Sequence, residues 1–134
     1  MNVAYVESSA MVKLWRTEPE TDALREVLGR SAVLVSSDLT RLEVVRTAAR
    51  QAGDVGRAQA RSVLLGLTTV PVDRQIVDAA AALVPDSLRS LDAIHVATAL
   101  AVDDGDLVFY SYDRRALEAA RANGLRTASP GTVD

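Results

Sequence analysis

The sequence has no cysteine, which excludes disulfides, zinc–thiolate sites and thiol catalysis. Its 134 residues include a single lysine, Lys13, and a single histidine, His95. Nowhere do about 18 apolar residues run together, so a standard membrane span is not expected. The opening Met1-Asn2-Val3-Ala4-Tyr5 has no basic run followed by an apolar stretch. No signal peptide is therefore expected, and the chain reads as cytoplasmic. Internal repeats, low-complexity tracts and linkers are also missing.

What is present fits one domain spanning residues 1–134. Hydrophobic residues make up 49% and charged residues 25%, enough for a real core and too apolar for disorder. The net charge of −3 argues against a broadly basic nucleic-acid-binding face. Of the 15 basic residues, all but Lys13 are arginine. GC-rich coding explains that bias, and so does a use for guanidinium forks on phosphate. Acidic charge gathered in a metal site would reverse the local field once cations bind.

Val3-Ala4-Tyr5-Val6 reads as a buried strand. Ala10, Met11, Leu14 and Trp15 then recur at helical spacing, and Ala23, Leu24, Val27 and Leu28 mark a second helix ending at Gly29. Ala32–Val35 is the next strand, after which Ser36-Ser37-Asp38 caps a helix whose apolar face is read as Leu39, Leu42, Val45 and Ala49. Gly53 and Gly56 bracket a turn before a helix through Val63-Leu64-Leu65. Leu67–Val72 is a strand that Pro71 places at an edge or an end. Ile76, Val77, Ala80 and Leu83 give a helix stopped near Pro85. A long helix from about Leu88 to Val102 carries Leu91, Ile94, Thr98 and Ala101 on one face. Asp106–Tyr110 is a strand, Arg114–Asn123 a helix closed by Gly124, and Leu125–Ala128 a last short strand. This alternation predicts an α/β domain with a mainly parallel sheet, and the doubly apolar strands agree.

Open α/β sheets place ligands beyond the carboxyl ends of their strands. Glu7 follows the first strand, Glu43 lies a turn into the helix after the second, Asp92 opens the long helix and Asp113 follows the fourth strand. Four such carboxylates meeting at one place would raise one another's pKa values. A divalent cation relieves this, and hard oxygen ligands suit Mg²⁺ or Mn²⁺. The usual work of such a site is phosphoryl chemistry. Each acid also has a structural reading. Thr40-x-x-Glu43 fits a capping box, Asp92 a helix-dipole acid, Asp113 a cap for its helix and Glu7 a solvated loop residue.

The sequences around these acids resemble those of PIN-domain ribonucleases. Tyr5-Val6-Glu7-Ser8-Ser9-Ala10-Met11-Val12-Lys13 is similar to that family's opening, a strand followed by Asp-Ser-Ser-Ala-Leu-Val-Lys. Ser36–Arg46, with Glu43, and Leu88–Ala99, with Asp92, resemble its second and third motifs. Phe109-Tyr110-Ser111-Tyr112-Asp113 resembles the fourth, a strand ending in Ser/Thr-x-Asp. The motifs stand in family order and span essentially the whole chain. The third is the strongest match.

The resemblance, which among PIN-domain proteins is to VapC-type toxins of toxin–antitoxin pairs, implies a five-stranded parallel sheet and a Mg²⁺- or Mn²⁺-dependent endoribonuclease leaving 5′-phosphate and 3′-hydroxyl ends. Carried over by position, Glu7, Glu43, Asp92 and Asp113 are the catalytic acids. Glu7, Asp92 and Asp113 contact metal, and Glu43 does so directly or through water. Ser9 and Ser111 are supporting hydroxyls, and Arg41, Arg46, Arg89, Arg114 and Arg115 are the arginines expected to hold RNA. A small antitoxin is implied, contacting helices in the first third of the chain and presenting a basic side chain to the acid pocket, as is a homodimer. The family's first acid is normally aspartate; Glu7 keeps the charge and adds a methylene. That departure supports an alternative, a catalytically attenuated module that binds RNA or protein. A phosphoacceptor receiver domain is a third reading, opposed by the lack of Asp-x-Asp after the first strand and of lysine after a late one. His95, three residues after Asp92 on the same helix face, is read as a packing or supporting imidazole rather than a ligand. Trp15 and Met11 are read as packing residues.

Overall fold

The computed structural model describes residues 2–132. Five strands form one wholly parallel sheet in the order β3-β2-β1-β4-β5. They are β1 (Val3–Val6), β2 (Val33–Ser37), β3 (Thr68–Val70), β4 (Val108–Tyr110) and β5 (Arg126–Ala128). Six helices accompany them: α1 (Ser8–Trp15), α2 (Thr21–Leu28), α3 (Asp38–Leu64), α4 (Arg74–Ala81), α5 (Ser90–Val102) and α6 (Arg114–Ala122).

β1 sits in the middle and shows why its four residues are all apolar. Ala4 and Val6 enter one core with Met11, Leu24, Val44 and Leu64 from α1, α2 and α3. Val3 and Tyr5 enter the other, with Val96 of α5 and Ala116 and Ala120 of α6. A strand covered on both faces has no polar side to offer. Tyr5 stacks on Phe109 of β4, ring centroids 5.1 Å apart and ring planes nearly parallel.

The chain moves outward from β1 through β2 to β3, then crosses to β4 and β5 on the other side. That reversal places a crevice between the carboxyl ends of β1 and β4, where doubly wound sheets bind their ligands. Tyr5 pairs with Phe109 and Val6 with Tyr110, so Glu7 and Ser111 leave the sheet side by side. Both edges are strands of only three residues, and β3 stops before Pro71.

Three expectations need correction. α3 buries Thr40, Val44 and Ala48, whereas Leu42 is 58% exposed. The helix is rotated because Ser37 caps it, accepting from the Leu39 N–H at 3.0 Å, and because Thr40 hydrogen-bonds Ser36 at 2.7 Å inside the core. Thr40 thus lies within the helix, and the capping-box reading of Glu43 fails. α5 likewise buries Ala93, Val96, Ala97 and Ala99 while Leu91 is exposed, since alanines let the helix approach the sheet and Leu91 lies at its open N-terminal end. The expected break between two helical segments is present, but Gly53 and Gly56 do not bracket it. The helix breaks at Ala52 and Gly53, where Gly53 takes φ +56° and ψ −141°, a conformation that L-residues rarely adopt. Gly56 is already in the next helical segment, buried against Ala48.

Candidate active site

The Glu7 N–H donates to the Tyr110 carbonyl at 3.0 Å, continuing the β1–β4 pairing one residue past the sheet. Its side chain then turns back to cap α1. One oxygen, Oε1, accepts three hydrogen bonds: from the Ser9 N–H (3.2 Å), the Ser9 hydroxyl (2.5 Å) and the Ser111 hydroxyl (2.6 Å). The two hydroxyls are themselves aimed, because Ser9 Oγ accepts from the Tyr112 N–H and Ser111 Oγ from the Asp113 N–H. Ser9 and Ser111 thus both donate to the Glu7 carboxylate. They also tie the loop after β4 to the start of α1.

Glu43 is held in the same way, through one oxygen. Its Oε1 accepts from Ser8 Oγ at 2.5 Å and faces His95 Nε2 at 2.9 Å. His95 is buried, and its Nδ1 lies 2.7 Å from the Tyr5 hydroxyl. Burial pushes the Tyr5 pKa far up, so the phenol keeps its proton and donates to Nδ1. Nε2 then carries the ring proton toward Glu43. Burial opposes the Glu43 charge, but the hydrogen bonds from His95 and Ser8 outweigh it and lower its pKa. The imidazole is thus a positioning group for Glu43. His95→Ala removes that donor and leaves a buried hydroxyl without an acceptor. It is expected to cost about 2–3 kcal/mol in urea unfolding, with His95→Gln recovering part of it.

Asp92 lies in the first turn of α5 and accepts no hydrogen bond from a described side chain. Burial raises its pKa, and the neighbouring charge of Asp113 raises it further, against smaller opposing effects of His95, Arg89 and Arg115. Asp113 caps α6 through Oδ1, which accepts from the Arg115 and Ala116 N–H groups at 2.9 and 3.4 Å.

Glu7, Glu43, Asp92 and Asp113 all line one pocket of about 270 Å³, together with His95, Arg89 and Arg115. Among the described residues, no three of these side chains already stand as a metal-holding cluster. The donor chemistry nonetheless suits a hard cation. Glu7, Glu43 and Asp113 are each fixed through one oxygen with the other left over, and Asp92 offers two. A larger cavity, about 480 Å³ between α4 and α5, holds none of the four acids.

Of the arginines expected near RNA, the pocket gathers Arg89 and Arg115. Arg114 lines a separate cleft with Tyr112, Leu117 and Arg121, and Arg41 and Arg46 are exposed on α3 outside the acid pocket. Two contributors went unassigned from sequence, Ser8 and Tyr5. Ser8 had a signal, since adjacent serines after a strand point to different neighbours. Tyr5 had only its place in the period-two pattern of β1. Met11 packs in the core as expected, and the half-buried Trp15 donates from Nε1 to Gln59 at 3.2 Å.

The sequence description of the PIN domain matches residues 4–122. The chain is 44% identical over 132 residues to Ribonuclease VapC46 of Mycobacterium tuberculosis strain H37Rv, covering 97% of this chain and 99% of that protein. It is 38% identical over 133 residues to Ribonuclease VapC47 of the same species, strain CDC 1551, covering 96% and 98%. In three dimensions it resembles VapC20 of M. tuberculosis, described as a sarcin-ricin loop cleaving toxin, with a TM-score of 0.73 at 16% identity over 95% of this chain and 99% of that one. It also resembles a chain of VapBC2 from Rickettsia felis, solved bound to a promoter DNA fragment, with a TM-score of 0.72 at 11% identity over 94% and 97%. The chain belongs to the PIN-domain family, among its VapC-type ribonucleases. Ribonucleases of this kind depend in general on a divalent metal.

Proposed function

We propose that residues 1–134 act as one PIN domain that hydrolyses RNA phosphodiester bonds internally, as the toxin of a VapBC-type pair. The observation that carries this reading is the pocket itself. Four carboxylates from four distant segments line it at the sheet's switch point, beside two arginines. Repulsion and desolvation oppose such a gathering unless cations and phosphate are its ligands.

Glu7, Asp92 and Asp113 would hold Mg²⁺, with Mn²⁺ as a substitute, and Glu43 would reach it directly or through water. When bound, the cation supplies a neutralising charge on the scissile phosphate and water acidic enough to act as nucleophile near neutral pH. The chain's own residues do the rest. Arg89 and Arg115 grip the phosphate from the pocket's rim. Ser9 and Ser111 anchor one oxygen of Glu7, and His95 and Ser8 anchor one of Glu43. The antitoxin would cover the helices of the first third and place a basic side chain among the acids. Leu42, exposed on α3 at 58%, is an apolar side chain there for a partner to cover. Two copies of the chain would form the toxin dimer.

Cleavage of a labelled RNA pool with Mg²⁺, Mn²⁺ or EDTA tests this. Cutting is expected with either metal, none with EDTA, and 5′-phosphate ends on the products. Glu7→Asp reads the extra methylene. The cage of Ser9 and Ser111 seats glutamate without strain visible in its hydrogen bonds, so wild type is expected to cut within about tenfold of the variant. Cutting by the variant alone would mark this chain as attenuated. No cutting by either protein with any metal would favour the binding-module reading instead.

A further inference from the structure

A second cleft, of about 350 Å³, adjoins the acid pocket and shares Arg89, Asp92 and Arg115 with it. That volume lies in the range of small-ligand sites. Pro85, Leu88, Ala119 and Ala122 make its surface apolar, and Ser87 and Glu118 add polar groups. Along α6 the lining runs Arg115, Glu118, Ala119, Ala122, a rise of about 10 Å leading away from Asp113.

The charged groups here are uncommitted. Neither the Arg89 nor the Arg115 guanidinium makes a hydrogen bond or ion pair with a described residue, and the Glu118 carboxylate makes none either. Such free groups on one rim are available to a ligand. A phosphate suits the arginine end and is repelled by Glu118. A flat apolar ring suits the middle, where guanidinium planes can also stack on it. What suits Glu118 is a neutral group with paired N–H donors, because a carboxylate accepts two parallel hydrogen bonds. Among the four RNA bases, only guanine presents an adjacent ring N–H and amino group on its Watson–Crick edge.

We propose that this cleft is a nucleobase subsite that takes a guanine next to the scissile phosphate, with Arg89 and Arg115 holding the phosphate and Glu118 reading the base. The proposal rests on the acid pocket being an RNA-cleaving site, yet its binding part can be read without cleavage.

The test has two arms. In the first, GMP, AMP, CMP and UMP are titrated into the ¹⁵N-labelled chain in EDTA, for wild type and Glu118→Gln. GMP is expected to shift the amides of Ser87, Leu88, Glu118 and Ala122 and to bind about tenfold or more tighter than UMP or AMP. Glu118→Gln is expected to erase that preference. In the second, cut sites in a randomised RNA library are sequenced with metal present. Guanine enrichment beside the cut is expected for wild type and not for Glu118→Gln, while Ala122→Trp, which fills the cleft, weakens GMP binding at least tenfold. Four nucleotides binding alike, shifts lying elsewhere, or enrichment surviving Glu118→Gln would each overturn the subsite. Selective GMP binding without any RNA cleavage would uphold it and overturn the nuclease reading. Cleavage with no base preference would do the reverse.

Discussion

Asp92→Asn is expected to lower metal-dependent RNA cleavage by more than about a hundredfold, with little change in melting temperature. The activity loss follows from position. Asp92 is the acid of the set that accepts no hydrogen bond from a described residue, so both its oxygens are open to the ligand proposed for the pocket. Losing a partner that only supports a metal ligand already costs about 10- to 100-fold, and losing a ligand costs more. The neutral stability follows from the electrostatics. Amide replacement forfeits a helix-dipole interaction of about 0.3–1 kcal/mol. It also relieves the burial and the repulsion from Asp113 that raise the Asp92 pKa. The direction of that shift sets the pH trend of the metal-free protein. A carboxyl whose folded pKa is raised binds its proton more tightly in the folded chain. Its contribution is therefore full below the ordinary aspartate range and is lost as pH rises through the raised value. Glu43, with a lowered pKa, works oppositely: its contribution is present above the ordinary glutamate range and lost as pH falls through the lowered value. Thermal melts from pH 3 to 8 should show Asp92→Asn with a smaller fall in stability on the alkaline side. An unchanged cleavage rate for Asp92→Asn would remove Asp92 from the reaction.

Gly56→Ala is expected to destabilise the fold by about 3 kcal/mol, a fall of about 10 °C in melting temperature. In an ordinary helix interior the same change stabilises by about 1 kcal/mol, so even the sign is diagnostic. A methyl group at Gly56 would lie 2.3 Å from the Ala48 carbonyl oxygen and 2.8 Å from the Ala52 side chain. Both neighbours belong to the preceding half of α3, folded back by the break at Ala52 and Gly53. Neither is the end of a flexible side chain, so the two helix halves must separate. Gly66→Ala is the control, because its nearest neighbour stands 3.9 Å away and the melting temperature should hardly move. A stabilised Gly56→Ala would show that the halves pack apart in solution.

The fold was legible in the sequence to the extent that local pattern controls it. Val3–Val6, the helix through Met11 and Trp15, and the closure of α6 by Gly124, at φ +86°, stand where apolar runs and punctuation place them. Glu7, Glu43 and Asp113 drew notice because they follow strands whose ends converge in this architecture, and Asp92 because the sequence around it resembles a family motif. Which face of a helix turns inward was less legible, since polar residues share the core. Thr40 and His95 are buried because each finds partners on distant segments, Thr40 at Ser36 and Ser8, and His95 at Tyr5 and Glu43. Hydropathy assigns Thr40 to the surface and names no partner for His95, and the apolar faces read for α3 and α5 rotated, although Thr98 is buried as read. The arginines show the same limit. Arg41, Arg46 and Arg114 are near the acids along the chain, yet the pocket is lined by Arg89 and Arg115 and not by them.

The sheet's borders have a consequence of their own. A parallel sheet ends in unpaired backbone groups that invite a foreign strand. Here each border offers only three residues, Thr68–Val70 ahead of Pro71 and Arg126–Ala128 with a charged side chain at its start. A stray chain docking on either side gains a few hydrogen bonds before meeting an imino acid or a guanidinium, too little to nucleate a fibril. The concentrated protein is thereby protected from runaway polymerisation by the brevity of its outermost strands.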